Sequence, residues 1–147
     1  GGISMKIFVR FGHDTLTNGY FTGAAGTILS EKQVIDSYAP YLAETLYKAG
    51  HQVMTYSHTD RVYSNSSAAL NGGIEAAEAW GAELFVSCHA NSFDDPTKSY
   101  SMCYYRNDSL SITLANAVSA AAANTIGIPN SGGVEGIGLG EVSLSRP

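Results

Sequence analysis

The stretch Ala82–Phe93, AELFVSCHANSF, constrains this chain more than any other. Leu84, Phe85 and Val86 make a short apolar run of β-prone residues without a helical period, the pattern of a strand covered on both faces. The run ends abruptly in Ser87, Cys88, His89, Ala90 and Asn91. A metal-capable imidazole therefore stands where a buried strand stops. In open α/β sheets ligands bind at the carboxyl ends of the strands, so His89 is the first candidate for chemistry.

The same grammar recurs along the chain. Lys6–Phe11 (KIFVRF) alternates Ile7, Val9 and Phe11 on one face and reads as the first strand. Gly12 and His13 follow it directly. Residues 14–27 are a loop whose glycines, Gly19, Gly23 and Gly26, fit neither dinucleotide nor phosphate-loop spacing. Ser30–Gln33 has the capping-box form, and Val34, Ile35, Tyr38, Leu42 and Leu46 give a helical stripe closed by Gly50. Pro40 should kink or divide that helix. Gln52–Ser57 is a strand, Ser67–Trp80 a helix weakened by Gly72 and Gly73, and Ser99–Arg106 a strand. Leu110–Ile126 is an Ala-rich helix capped by Ser109, and Gly138–Ser145 is expected as the last strand. The order β-α-β-α-β-β-α-β predicts an α/β fold, three-layer, with a mostly parallel twisted sheet and helices on both faces.

At 147 residues the chain suits one domain with its own core. Eight basic against thirteen acidic residues give a net charge of −5 with no basic cluster, which argues against nucleic acid or an anionic membrane as partner. The apolar runs are too short to span a bilayer. Cys88 and Cys103 lie in apolar, strand-like runs and read as reduced thiols. Gly1–Ser4 precede Met5 as a cloning scar, leaving 5–147 as the folded domain, and no signal peptide follows Met5.

Three residues converge in this architecture. His13 follows the first strand, His89 ends the strand taken as central, and Glu31 opens the helix after the first strand, where the helix dipole favours its carboxylate. All three fall on the carboxyl edge of the sheet. Two imidazoles and one carboxylate, with a fourth position open, are the donor set of a catalytic zinc site. The plainer readings, a structural histidine and a dipole-paired glutamate, stand beside it. His51 and His58 flank the second strand and face solvent.

Gly12-His13, Ser30-Glu31 and Ser87-Cys88-His89-Ala90-Asn91 together resemble zinc-dependent N-acetylmuramoyl-L-alanine amidases of the Amidase 3 type, found in autolysins and phage endolysins. The resemblance runs from Met5 to the end and takes in Gly132-Gly133-Val134 before the last strand. It implies a phosphorylase/hydrolase-like amidase fold, with Zn2+ held by His13, Glu31 and His89. It also implies that zinc-activated water cleaves the amide between N-acetylmuramic acid and L-alanine of the stem peptide. Peptidoglycan is the implied partner, Asn91 a substrate contact, and Tyr104, Tyr105 and Arg106 candidate groove residues. A phage-lysin-like location follows: made in the cytoplasm, acting at the wall after release.

Two departures qualify the likeness. Where the family carries an Arg in the helix before the central strand, this chain reads Leu70-Asn71-Gly72-Gly73. The family's catalytic Glu lies on a strand beyond Leu144-Ser145-Arg146-Pro147, and Glu141 sits too early to replace it. The expectation is a truncated domain lacking its last strand and helix, weakly active or inactive, with an exposed sheet edge prone to self-association. Two other readings stand. One is a different two-His-one-Glu zinc amidohydrolase or peptidase, which needs an Arg for a substrate carboxylate; Arg10, Arg61, Arg106 and Arg146 are not clearly at the rim. The other is a wall-binding module that has lost catalysis.

Overall fold

The computed structural model describes residues 2–57, 62–91 and 94–143. The chain divides into two compact units, meeting in sequence near residue 92. The first unit holds β1 (Lys6–Phe11), β2 (Thr15–Leu16), α1 (Glu31–Lys48), β3 (Gln52–Tyr56), β4 (Val62–Tyr63), α2 (Ser66–Trp80) and β5 (Leu84–Cys88). The second holds β6 (Ser101–Tyr105), α3 (Ser109–Ile126), β7 (Asn130–Glu135) and a single 3₁₀ turn, Gly140–Ser143. The α/β class, with parallel strands and helical crossovers, is as the alternation predicts.

In the first unit β1 pairs in parallel with β3 on one side and β5 on the other. The middle strand is therefore β1 and not β5, which the apolar run had marked as central. Leu84–Ser87 are accordingly only half-buried, whereas residues 7–11 are all buried. The alternation of β1 assigns its faces. Ile7, Val9 and Phe11 pack with Ile35, Ala39 and Ala43 of α1, while Phe8 packs with Tyr56, Ala77 and Ala82 on the α2 side. The small residues of the α1 stripe let that helix lie close to the sheet. One crossover runs from β1 to β3 and the next from β3 back past β1 to β5, so the direction reverses between β1 and β5. That reversal opens the ligand crevice of a doubly wound sheet.

Ser30 caps α1 through a complete capping box with Gln33. Pro40 does not divide the helix; it sits on the exposed side, where its missing N–H and ring are least costly. The expected loop after β1 carries the short β2, which pairs in parallel with β4.

Gly72 and Gly73, read from sequence as helix weakeners, are close-approach positions. A Cβ on Gly73 would overlap the Arg10 guanidinium, and one on Gly72 would overlap Tyr63, whose hydroxyl bonds that of Tyr56. Arg10 is fully buried under α2. It donates to the carbonyls of Ala69 (2.8 Å) and Leu70 (3.0 Å) and pairs with buried Asp14 at 2.6 Å.

In the second unit β6 and β7 pair in parallel beneath α3. Among the described residues the last strand is thus Asn130–Glu135, and residues 140–143 of the expected Gly138–Ser145 strand form a 3₁₀ turn that holds Glu141; residues 144–147 lie outside the described residues. Gly132-Gly133-Val134 form the strand itself and do not precede it. Asp108, one residue before the expected Ser109, caps α3 by accepting from the Ser111 N–H. Among the described residues neither cysteine forms a disulfide; Cys88 is buried and Cys103 half-buried. Among the described residues no helix is long and apolar enough to cross a membrane.

Candidate metal centre

His13 is the one non-glycine residue among those described with positive φ, at 64°. The left-handed region costs an L-residue about 1–2 kcal/mol, and such strain persists where surrounding structure holds it. The neighbours supply that hold. Asp14 is anchored through its side chain by Arg10, and its backbone is bracketed by Thr22, which donates N–H to the Asp14 carbonyl (3.1 Å) and accepts the Asp14 N–H on Oγ1 (3.2 Å). The chain thus turns sharply at the end of β1, with the His13 ring at the rim.

Between His13 and β1, Gly12 donates its N–H to the Cys88 carbonyl of the neighbouring β5 at 2.8 Å. Any side chain at Gly12 would strike the His89 ring, so only glycine lets the ends of β1 and β5 approach this closely. Tyr38 of α1 donates its hydroxyl to the His89 carbonyl at 2.9 Å, fixing the backbone after β5.

Glu31 stands between the two rings as the first residue of α1. Its Oε1 lies 3.0 Å from His89 Nδ1 and accepts the Ala90 N–H at 3.1 Å. Oε2 lies 3.2 Å from His13 Nε2 and accepts the Ala24 N–H at 3.0 Å. Burial opposes its charge. The His89 bond, the two backbone donors and the His13 charge nevertheless outweigh burial and lower the carboxyl from 4.5 to about 2. Glu31 is therefore ionised at any physiological pH.

A depressed carboxyl pKa stabilises the fold above the ordinary value, and that contribution fades as pH falls towards the folded value. In metal-free protein, wild type is expected to exceed Glu31→Gln in stability by on the order of 2 kcal/mol above pH 5. Urea unfolding at a series of pH values should show the gap closing between about 4.5 and 2. A gap independent of pH would contradict the assignment.

The structure brings together all three expected ligands. One donor atom from each of His13, Glu31 and His89 lies within 4.8 Å of the others. A tetrahedral ion with bonds near 2.1 Å separates its donors by roughly 3.4 Å. The His–Glu separations of 3.2 Å to Oε2 and 3.0 Å to Oε1 are near this, while one donor atom from each residue spans up to 4.8 Å, so the donor set fits a cation in chemistry and comes within an ångström or so of its spacing.

Beside the triad is a cavity of about 70 Å³ lined by Ala24, Gly26, Leu29, Glu31, Val34, Ala90 and Asn91, which puts Asn91 at the site's edge. His51 is half-buried, its Nδ1 accepting the Met5 N–H at 3.2 Å, so it is not the solvent-facing residue expected; His58 lies outside the described residues. Tyr104, exposed, and the half-buried Tyr105 and Arg106 belong to the second unit.

The sequence reading gave no supporting role to Arg10, Asp14, Thr22 or Tyr38. Only Arg10 carried a local signal: a charge inside an otherwise apolar buried strand.

No curated protein sequence matches the chain. Among solved structures it is similar to the catalytic domain of the CD27L endolysin targeting Clostridia difficile, at 25% identity and a TM-score of 0.83, covering 97% of this chain and 77% of that one. It is similar to the N-acetylmuramoyl-L-alanine amidase AmiC2 of Nostoc punctiforme at 26% identity and a TM-score of 0.74, over 100% and 77% of the two chains. The fold is also that of the catalytic domain of CwlV, an amidase from Bacillus (Paenibacillus) polymyxa var. colistinus, with 22% identity, a TM-score of 0.78, and 97% and 76% coverage. Residues 7–137 match the Amidase 3 family of N-acetylmuramoyl-L-alanine amidases, and this chain belongs to that family.

Proposed function

We propose that this chain is a zinc-dependent N-acetylmuramoyl-L-alanine amidase, with His13, Glu31 and His89 as its metal ligands. The convergence of these three side chains at the β1/β5 crevice, in a chain of this family, carries the reading. Two imidazoles and one carboxylate suit zinc, whereas calcium and magnesium prefer all-oxygen shells. Zinc bound there would lower the pKa of a coordinated water and polarise the scissile carbonyl.

The chain's own groups prepare the site. Glu31 arrives ionised and held by two backbone N–H groups, so no proton need leave it when a cation binds. Asn91 offers an amide donor and acceptor to a peptide unit at the cavity edge. Ala24, Leu29, Val34 and Ala90 give that cavity an apolar wall beside Glu31. The likeness to an endolysin catalytic domain further supports a lysin-type role at the cell wall, with peptidoglycan as substrate.

The test combines metal content with product chemistry. Protein purified without chelator should carry about one zinc per chain by mass spectrometry, lost in His89→Ala. Any release of L-alanine amino termini from purified peptidoglycan, expected to be weak for want of the family's catalytic Glu, should cease on chelation and recover with zinc. Release of amino termini that persists once zinc is stripped, or a wild-type chain that takes up no zinc, would overturn the reading.

A further inference from the structure

We infer that Thr22 and Ser87 are positioning residues of the metal centre: their hydroxyls hold the outer ring nitrogens, so that His13 presents Nε2 and His89 presents Nδ1 to the ion. The inference rests on the metal reading above and adds which nitrogen of each ring is the ligand and what fixes it.

Each ring is gripped at both nitrogens. His13 Nε2 lies 3.2 Å from Glu31 Oε2, while its Nδ1 lies 3.2 Å from Thr22 Oγ1. His89 Nδ1 lies 3.0 Å from Glu31 Oε1, while its Nε2 lies 3.1 Å from Ser87 Oγ. A neutral imidazole that gives one lone pair to a metal carries its proton on the other nitrogen, and the acceptor of that proton sets tautomer and ring orientation. Here both acceptors are neutral hydroxyls.

The two hydroxyls reach their rings differently. Ser87 is two residues before His89, so in an extended strand both side chains leave the same face. Thr22 comes from the far limb of the loop after β1. Its Oγ1 already accepts the Asp14 N–H, and a hydroxyl oxygen has a second lone pair for His13 Nδ1–H. Since Asp14 is locked onto buried Arg10, the position of Thr22 is referred back to the core of the first unit. A rigid mount of this kind keeps Nε2 aimed at the ion despite the strained backbone at His13.

The experiment measures zinc affinity by competition with a chromophoric chelator for wild type, Thr22→Val, Thr22→Ser and Ser87→Ala. It is joined to proton NMR of the ring N–H signals in the zinc-loaded proteins. Thr22→Val and Ser87→Ala should each bind about 10–100-fold more weakly. Thr22→Ser should match wild type. The His13 Nδ1–H should be protected from exchange in wild type and Thr22→Ser and lost in Thr22→Val. A role confined to loop packing would not move that signal.

Wild type that takes up no zinc overturns the metal reading and this inference with it. Wild type that loads zinc while both hydroxyl-free variants bind equally well, with the ring N–H intact, overturns the inference alone. Should Thr22→Val fail to fold, Ser87→Ala on β5 decides the question by the same two readouts.

Discussion

Replacing Glu31 by alanine is expected to weaken zinc binding by about 10²–10³-fold. Structural zinc sites with four protein ligands bind with about 10–16 kcal/mol, so one ligand accounts for roughly 3–4 kcal/mol, or two to three factors of ten. Glu31 is the strongest candidate for such a loss because both of its oxygens face a ring. Removing the carboxylate also strips the Ala24 and Ala90 N–H groups of their acceptor and leaves two imidazoles facing each other with centroids 4.8 Å apart. The metal-free variant should therefore also lose stability, by about 1–3 kcal/mol for an unsatisfied buried donor. Chelator competition and urea unfolding separate the two effects. Near-wild-type zinc affinity in folded Glu31→Ala would remove Glu31 from the ligand set and, with it, the two-His-one-Glu argument.

That three residues spread over seventy-six positions could be named from sequence follows from strand-end grammar. Gly12-His13 and Cys88-His89 each close an apolar β-prone run, and Ser30 with Gln33 marks where α1 begins. A doubly wound sheet sends all three of those points to one edge. The interactions that hold them there were not legible in the same way. Thr22 and His13 are nine residues apart across a loop with no period, and nothing local to Arg10 says that α2 packs over it.

The last strand shows the same limit from the other side. Gly138–Ser145 carries Leu139, Val142 and Leu144 and reads as a strand, yet residues 140–143 form a 3₁₀ turn. Asn130–Glu135 has little β propensity but pairs with β6. It is tied to α3 by its Gly133 N–H, donated to Asn116 Oδ1 at 2.9 Å, and by its Asn130 side chain, whose Oδ1 accepts from Ser119 Oγ at 2.6 Å. Tertiary hydrogen bonds there override propensity.

Gly73→Ala is expected to destabilise the protein by about 2–3 kcal/mol, opposite in sign to the general rule. Within a helix, alanine is better than glycine by about 1 kcal/mol, so propensity alone predicts a more stable variant. Gly73 is buried in the middle of α2, and an added methyl would overlap the Arg10 guanidinium, with its Cζ only 2.5 Å away. Arg10 has nowhere inexpensive to go. Its side chain is 2% exposed and its NH2 group bonds both Asp14 and the Ala69 carbonyl, so retreat would break a buried pair whose disruption costs about 3–5 kcal/mol. If α2 shifts outward instead, the overpacking cost is about 1–3 kcal/mol. Either route outweighs the propensity gain. For a chain of this size the loss should lower the melting temperature by roughly 5–10 °C. The consequence extends to the site, because Asp14 follows His13 directly and loses its anchor when Arg10 moves. Zinc affinity should therefore fall together with stability in Gly73→Ala, whereas Gly50→Ala, at an exposed helix end far from Arg10 in sequence, should leave zinc affinity unchanged while it strains a residue with φ of 96°. A stable Gly73→Ala with wild-type zinc affinity would mean that Arg10 is free to move without disturbing Asp14, and that the support of His13 does not run through the buried pair.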